Sequence, residues 1–538
     1  MRSRDRSRAD NRSRTRLAKR ILPTFIAAVI SAGYLVVAPK SEDLAAHLLR
    51  AKLFATQGFG IWNNWWYAGH NIPGYSVLFP PIAALLTPQV AGAIAATVTA
   101  ALFEALAHRR YGEDAWLGAS WFGLATSTSL FTGRLTFAFG LMPAVGSALA
   151  LQRQRYGLAV ALAFVTPLAS PVGALFSALA GGAQAVAAYT KERRIKPALP
   201  GVAVVIASAL PVLALAVAFP EGGVEPFAFS AFWPIVVLSI AALFVIPKGD
   251  VAVKAGVVLY ALGCIASFAV ASPVGSNVTR LAPLLAGPLA ALYWWPKPGR
   301  RTAALLAVAL PLLYIQWQAP VRDIRTADDN AEVTAAYFQP LVTYLSRQSD
   351  QPFRIEIPFT LFHWEAYLMA PEFPLARGWE RQLDIKYNGL FYDGTLTAGE
   401  YDAWLHQVAV RYVAVSDKNL DYSAKQEVAL INRGLPYLRL VFRNRHWRVY
   451  AVRNPTPIVD GAATLTELGS DWLEVNGLRA GTAIVRVHFS PYWAVVDGSG
   501  CVAPYGQYTE LAVHRPGIIK VAMRFSLSRI RATSPRCS

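Results

Sequence analysis

The chain is poor in acid and in sulfur. It has 538 residues, with 51 Lys and Arg against 33 Asp and Glu, and only 3 Cys and 4 Met. Charged residues make up 16% and hydrophobic ones 54%, which leaves too little charge for a large soluble enzyme. There is no Walker loop, no dinucleotide-binding glycine fingerprint, no zinc-ligand quartet and no nucleophile elbow, so a soluble nucleotide substrate is not expected. No internal repeat of fixed period occurs, and low complexity is confined to the Arg/Ser-rich tail before Arg20. Two of the cysteines, Cys501 and Cys537, fall in the C-terminal tail, where an oxidising compartment would let them pair. Two cysteines alone do not fix that pairing.

What the chain does have is long apolar runs. A hydrocarbon core about 30 Å thick needs roughly 20 apolar residues per helix. On that scale helices are expected near 21–38, 88–107, 115–131, 135–151, 156–169, 172–190, 199–219, 230–247, 255–272, 281–296 and 303–319. The connectors between them alternate between rich and poor in Lys and Arg. The rich set is the tail before Arg20, His108 to Arg110, Arg153 with Arg155, Lys191 to Lys196, Lys248 with Lys254, and Lys297 to Arg301. Cytoplasmic loops collect such residues, so this set is expected inside and the others outside. Everything after Pro320 is then extracytoplasmic. The first apolar segment is long and lacks a small-residue cleavage site, so it reads as an uncleaved anchor. The basic tail orients that segment towards anionic membrane lipid, and no nucleic-acid partner is expected.

The expected fold class is a polytopic α-helical membrane protein of about eleven transmembrane helices, with a C-terminal extracytoplasmic α/β plus β-sandwich region. Residues 1–20 form a cytoplasmic tail and 21–320 the membrane domain, with an external first loop at 39–77. An α/β module is expected over 321–455 and a β-sandwich over 456–538.

Candidate chemistry lies on the outer connectors. Asp43, His47 and Arg50 fall at i, i+4 and i+7, so a helix from Glu42 places them on one face. Read functionally, Asp43 is a general base, with His47 and Arg50 orienting it or holding an anionic substrate, and Glu42 contacting the substrate beside it. Read as structure, the same residues form a solvated interfacial helix whose charges pair along its face. Trp62, Trp65, Trp66, His70 and Tyr75 follow in a stretch rich in Gly and Pro. Aromatics collect at membrane interfaces in any protein, but they also stack on sugar rings, which suits a wet carbohydrate- or polyprenol-binding groove.

Arg134, in a short outer connector, and Arg280, with Asn277 just before it, are candidates for a phosphate, which a guanidinium binds bidentately. Snorkelling to lipid headgroups is the alternative. Further on, Trp364, Glu365, Trp379 and Arg381 would contact an acceptor glycan or form a structural ion-pair network. No ionisable residue lies deep in the expected helices, which weighs against a coupled transporter.

An acid just after the first membrane helix, a long first external loop, many further helices and an external C-terminal domain resemble the GT-C glycosyltransferases. The spacing of Asp43 and His47, the run from Trp66 to Tyr75, and Trp493, Asp497 and Gly498 are similar to a bacterial YfhO-like branch. The Ala- and Arg-rich composition resembles that of actinobacterial proteins. The resemblance implies a GT-C-like transmembrane domain. It also implies inverting transfer of a sugar, arabinofuranose or mannose, from a polyprenyl-phosphate donor to a cell-envelope glycan acceptor. Asp43 would match the catalytic carboxylate. Many such enzymes carry paired acids one residue apart, whereas here Glu42 and Asp43 are adjacent, so no cofactor follows and a divalent metal stays open. A non-catalytic factor that binds lipid-linked glycan during envelope assembly is the alternative function.

Overall fold

The computed structural model describes residues 2–295, 299–327, 330–349 and 351–538, with side chains from 13 onward and that of 327 excepted. Lys297, in the last basic connector, lies outside the described residues. The chain divides into two compact units. One comprises the chain up to His47, Tyr75–Ala214 and the stretch from Val224 to the end of the last long helix. The other comprises Leu48–Gly74, Leu215–Gly223 and the C-terminal region.

The first unit is helical. Among the described residues, seven stretches are long and apolar enough to cross a membrane: Ser13–Val37, Pro88–Phe131, Leu135–Gln152, Pro171–Glu192, Lys196–Ala218, Val251–Ala269 and Arg300–Thr326. Tyr156–Ala169 and Phe229–Val245 are shorter apolar helices, and Leu281–Trp294 is another. The stretch Pro88–Phe131 is interrupted by a 3-10 turn at Gly112–Ala115, which separates the two runs read from the sequence. The protein is thus a polytopic helical membrane protein.

Glycines let these helices approach closely, since in lipid packing replaces the hydrophobic drive between helices. A Cβ on Gly181 would lie 2.7 Å from the Gly201 carbonyl, and one on Gly118 would lie 2.9 Å from that of Pro288. Asp250 caps the helix Val251–Ala269 and accepts from Tyr111 Oη at 3.1 Å and Tyr293 Oη at 2.6 Å, while Arg110 pairs with it.

Two boundaries differ from the sequence reading. The first helix runs from Arg2 to Val37 instead of starting at 21, because arginine is a good helix former and extending an existing helix needs no new nucleus. The last long helix, Arg300–Ala327, passes through Pro320, where the membrane domain was expected to end. A proline inside a helix costs one hydrogen bond but does not stop a helix that packing supports.

The second unit holds a mixed sheet and a sandwich. The four-stranded mixed sheet orders Arg354–Glu356, Val410–Ser416, Trp447–Val452 and Leu438–Arg443, the first pair parallel and the rest antiparallel. Its helix Ala398–Gln407 starts with a capping box between Thr397 and Glu400, which satisfies two otherwise orphaned amides. After the linker that follows Val452 comes an antiparallel β-sandwich. Its five-stranded sheet orders Arg536–Cys537, Gly500–Tyr505, Tyr508–Val513, Gly481–His488 and Val459–Gly461. Its four-stranded sheet orders Trp493–Asp497, Gly517–Met523, Trp472–Gly477 and Ala463–Leu468. Alternate residues such as Leu473, Val475, Val485, Leu511, Ile519 and Val521 fill the space between, the period-2 pattern of a two-layer core.

The first long connector does not stay with the membrane helices throughout, as the 39–77 loop was expected to. From Leu48 to Gly74 it clusters with the C-terminal residues. The Asn64 amide donates to Ser470, the Leu375 amide to Trp65 and the His488 amide to Ala68, at 2.7 to 2.8 Å. Large aromatic surfaces gain more from a dry core than from a wet groove.

Cys501 and Cys537 form a disulfide that ties the last strand to its neighbour. Closing a loop with a sequence separation of 36 removes denatured-state freedom, a stabilisation of at most about 4 kcal/mol. Cys501→Ser is expected to lower the thermal midpoint of the detergent-solubilised protein, and added reductant is expected to have the same effect on the parent but none on the variant. Identical melting of parent and variant under oxidising conditions would contradict this.

Candidate functional site

In the helical unit, three segments meet around the start of the helix Glu42–Gln57. Glu42 and Asp43 form its acidic first turn and are half-buried. Opposite lies the turn Thr132–Gly133–Arg134. Gly133 has φ +71, and a Cβ there would collide with Ser41 Oγ and lie 3.1 Å from Asp43 Cβ. Only glycine allows that approach. Arg134, exposed, precedes the helix Leu135–Gln152, and its amide donates to Ser129 at 2.9 Å.

The third segment is the 3-10 turn Gly275–Arg280, which leads into Leu281–Trp294 and includes half-buried Asn277. The Arg280 guanidinium sits 5.5 Å from the Phe137 ring centre. Burial pushes Arg280 down to about 10, helped by the charge of Arg134, while Asp43, Tyr75 and Glu225 act the other way. These five ionisable groups therefore share one electrostatic neighbourhood. Asp323 is also within the reach of Arg134 and Asp43. Glu225 accepts from Ser276 at 3.1 Å, in the same connector as Arg280. His47 is buried. Its Nδ1 is 3.2 Å from Thr136 Oγ1, and its ring lies against Tyr75 at 5.9 Å and Phe79 at 5.3 Å.

Arg50 has a different setting from its helix neighbours Asp43 and His47. It is buried within the second unit and pairs with Glu380. Its guanidinium lies 5.9 Å from the Trp66 ring. His70 stacks on Trp66 at 5.8 Å, nearly parallel, with Nε2 3.9 Å from Glu380 Oε1. Burial, then Arg50, holds His70 well below the usual imidazole range. Trp66 Nε1 donates to the Ala366 carbonyl at 3.0 Å. Trp62 packs edge-on against Trp493 in the sandwich core, at 5.7 Å, and Trp65 is half-buried.

Read from the sequence, these aromatics sit at the membrane interface or line a wet groove. In the structure Trp62, Trp66 and His70 are at most 2% exposed. They are core residues because their rings find aromatic partners and their polar nitrogens lie inside the fold.

The second set of expected contact residues is likewise interior. Trp364, Glu365 and Trp379 are buried, and Arg381 holds Asp421 bidentately at 3.0 and 2.8 Å. Glu365 accepts from the Thr360 amide and hydroxyl at 3.1 and 2.7 Å. His363 stacks on Trp379 at 3.5 Å. Beside them Arg377 lies between the rings of Phe359 and Phe391, at 3.9 and 4.2 Å, and pairs with Asp384 at 2.5 Å and Glu427 at 3.7 Å. The sequence reading did not single out His363, Asp421, Glu427 or Glu356. They are scattered along the chain, and no local spacing marks them. Among the described residues no group of three or more His, Cys, Asp or Glu is arranged to hold a metal ion.

The buried Glu365 carboxyl has a pH consequence. Burial raises its pKa from 4.5 to about 8, so the folded state holds the proton more tightly than the unfolded one. That contribution to stability is complete below pH 4.5 and is lost as pH rises through 8. Glu365→Gln is expected to flatten the pH dependence of the thermal midpoint over this window, with the parent losing ground to the variant towards alkaline pH. Parallel curves for the two proteins would contradict it. Separately, Glu380→Ala removes the carboxylate paired with the buried Arg50 guanidinium and is expected to destabilise the protein by about 3–5 kcal/mol, read as a lowered denaturant midpoint.

No protein-family profile and no curated protein matches the chain. The chain is similar to a solved structure, determined by single-particle cryo-electron microscopy, of the arabinofuranosyltransferase AftD from Mycobacteria. The TM-score is 0.46 and the identity 13%, and the match covers 95% of this chain and 61% of that one. This chain thus spans about three fifths of the length of the protein it matches.

Proposed function

We propose that the protein is an extracytoplasmic inverting glycosyltransferase that moves a sugar, arabinofuranose or mannose, from a polyprenyl-phosphate carrier to a cell-envelope glycan. The observation that carries this reading is the shared neighbourhood of Asp43, Arg134 and Arg280 at the ends of membrane helices. A carboxylate beside two guanidiniums provides both a proton acceptor and a seat for a phosphate. The alternation of basic and non-basic connectors supports an outward orientation of that cluster.

In this reading Asp43 takes the proton of an acceptor hydroxyl while its oxygen attacks the anomeric carbon. The bond from that carbon to the carrier phosphate breaks, and the phosphate oxygen keeps the electron pair. The products are a glycosidic bond of inverted configuration and free polyprenyl phosphate. Phosphate is already a good leaving group, so the protein supplies mainly a base, alignment and neutralisation of developing negative charge. Arg280 and Arg134 provide the neutralisation. Glu225 and Ser276 support the turn that carries Arg280. His47, fixed by Thr136 and two aromatic rings one helical turn along from Asp43, is a positioning residue.

Purified protein, given a radiolabelled polyprenyl-phosphate sugar and an envelope-glycan acceptor, is expected to transfer label. Asp43→Asn is expected to lose about 10²- to 10⁴-fold in kcat, the usual worth of a positioned base. Arg280→Gln is expected to act mainly through the donor's KM, since it removes phosphate binding. An Asp43→Asn protein that is made normally and transfers at the parental rate would overturn the reading.

A further inference from the structure

The C-terminal edge of the sandwich combines two properties that no catalytic role explains. The first is unbalanced positive charge. Arg524, Arg529, Arg531 and Arg536 fall within one short stretch, and none is in ion-pair contact with a carboxylate among the described residues. Arg536 donates to the carbonyls of Tyr492 at 3.3 Å and Arg524 at 2.9 Å, and Arg529 to that of Pro491 at 3.4 Å. Burial, then the charges of Arg529 and Arg524, pulls the Arg536 guanidinium down, so Arg536 lies near both. Asp471 feels Arg524 electrostatically but does not pair with it.

The second property is exposed apolar surface in the same stretch. Phe525 is 49% exposed and Leu527 75% exposed.

A third observation concerns what this edge packs against. Leu215–Gly223, the end of the apolar helix Lys196–Ala218 and the residues after it, belongs to the same unit as the sandwich. Tyr492 Oη donates to the Ala218 carbonyl at 2.7 Å. Phe219 packs against Tyr492 at 5.6 Å and Phe525 at 5.8 Å, and Tyr492 against Phe525 at 5.1 Å. The residues that end an apolar helix long enough to cross a membrane are therefore bound within one aromatic cluster to the segment that begins the arginine-rich stretch. Ends of such helices generally lie near lipid headgroups.

We propose that the Arg524–Arg536 edge is a lipid-docking surface. The exposed Arg524 and Arg531 guanidiniums engage phosphates of anionic phospholipids, and Phe525 and Leu527 enter the apolar boundary beneath them. Arg529 and Arg536, held by Ser534 and by backbone carbonyls, add to the local positive charge. The chemistry is that of an interfacial anchor, in which basic residues add electrostatic attraction to a buried apolar wedge. A guanidinium suits this partner because it holds phosphate oxygens bidentately.

The test uses the full chain in phosphatidylcholine nanodiscs, with and without phosphatidylglycerol. A nitroxide is placed at Leu527→Cys or, as control, at the exposed strand-end residue Tyr505→Cys, both on a Cys264→Ser background that keeps the disulfide. In discs containing phosphatidylglycerol, position 527 is expected to be shielded from an aqueous nickel chelate and open to oxygen, while position 505 shows the reverse. Arg524→Gln and Arg531→Gln, whose side chains make no backbone hydrogen bonds among the described residues, are each expected to lower the docked-to-undocked ratio about five-fold, the effect of one basic residue at an anionic surface. Equal chelate access at 527 and 505 in anionic discs would overturn the proposal. So would shielding that ignores both phosphatidylglycerol and the arginine substitutions. If the labelled chain fails to reconstitute, amide exchange over Arg524–Arg531 in the unmodified chain decides the question, with slower exchange in anionic discs expected and no difference overturning it.

Discussion

Taking charge out of water is the constraint that organises this protein. An isolated ion in a low-dielectric interior is costly, and it persists only with a partner and satisfied hydrogen bonds. In the second unit Arg377 is almost fully buried, held by Asp384 and faced by two aromatic rings. Helix Arg381–Tyr387 supplies Asp384, helix Lys425–Asn432 supplies Glu427, and strand Arg354–Glu356 lies close enough for Glu356 to sense the same cation. Arg377 thus sets how these elements pack. The same rule keeps the helical unit's ionisable groups at helix ends, where Asp250 collects one set and Arg280 another.

That rule also separates two kinds of arginine. Arg50, Arg377 and Arg381 each have a carboxylate partner inside the fold, so their charge is spent on structure. Arg134 is exposed, and Arg280 shares its neighbourhood with a second cation. Two guanidiniums side by side repel unless an anion joins them. Asp43 and Glu225 supply negative charge here, and the carrier phosphate of the proposed reaction would be a further anion between the two guanidiniums.

The helices were legible in the sequence because long apolar runs and proline- or glycine-marked ends are local signals. The sandwich strands were legible for the same reason, through alternation along Gly481–His488 and Gly517–Met523. The fate of the aromatic connector was not. Trp62, Trp66 and His70 give one pattern whether they line a groove or fill a core, and what decides between them is distant in sequence. Glu380 lies 330 residues from Arg50, and Ser470 and His488 bind the connector's backbone from further still. Asp43, Arg134 and Arg280 could be nominated one by one as charges out of place on basic-poor connectors. Their common neighbourhood depends on helix packing that no local spacing encodes.

Gly133 has a backbone conformation that side chains disfavour and sits where any side chain would strike Ser41 and crowd Asp43. A methyl group there would have to push Ser41 and Asp43 away from the turn that carries Arg134. The spacing between the acid and that arginine is therefore held by a residue with no charge and no side chain of its own.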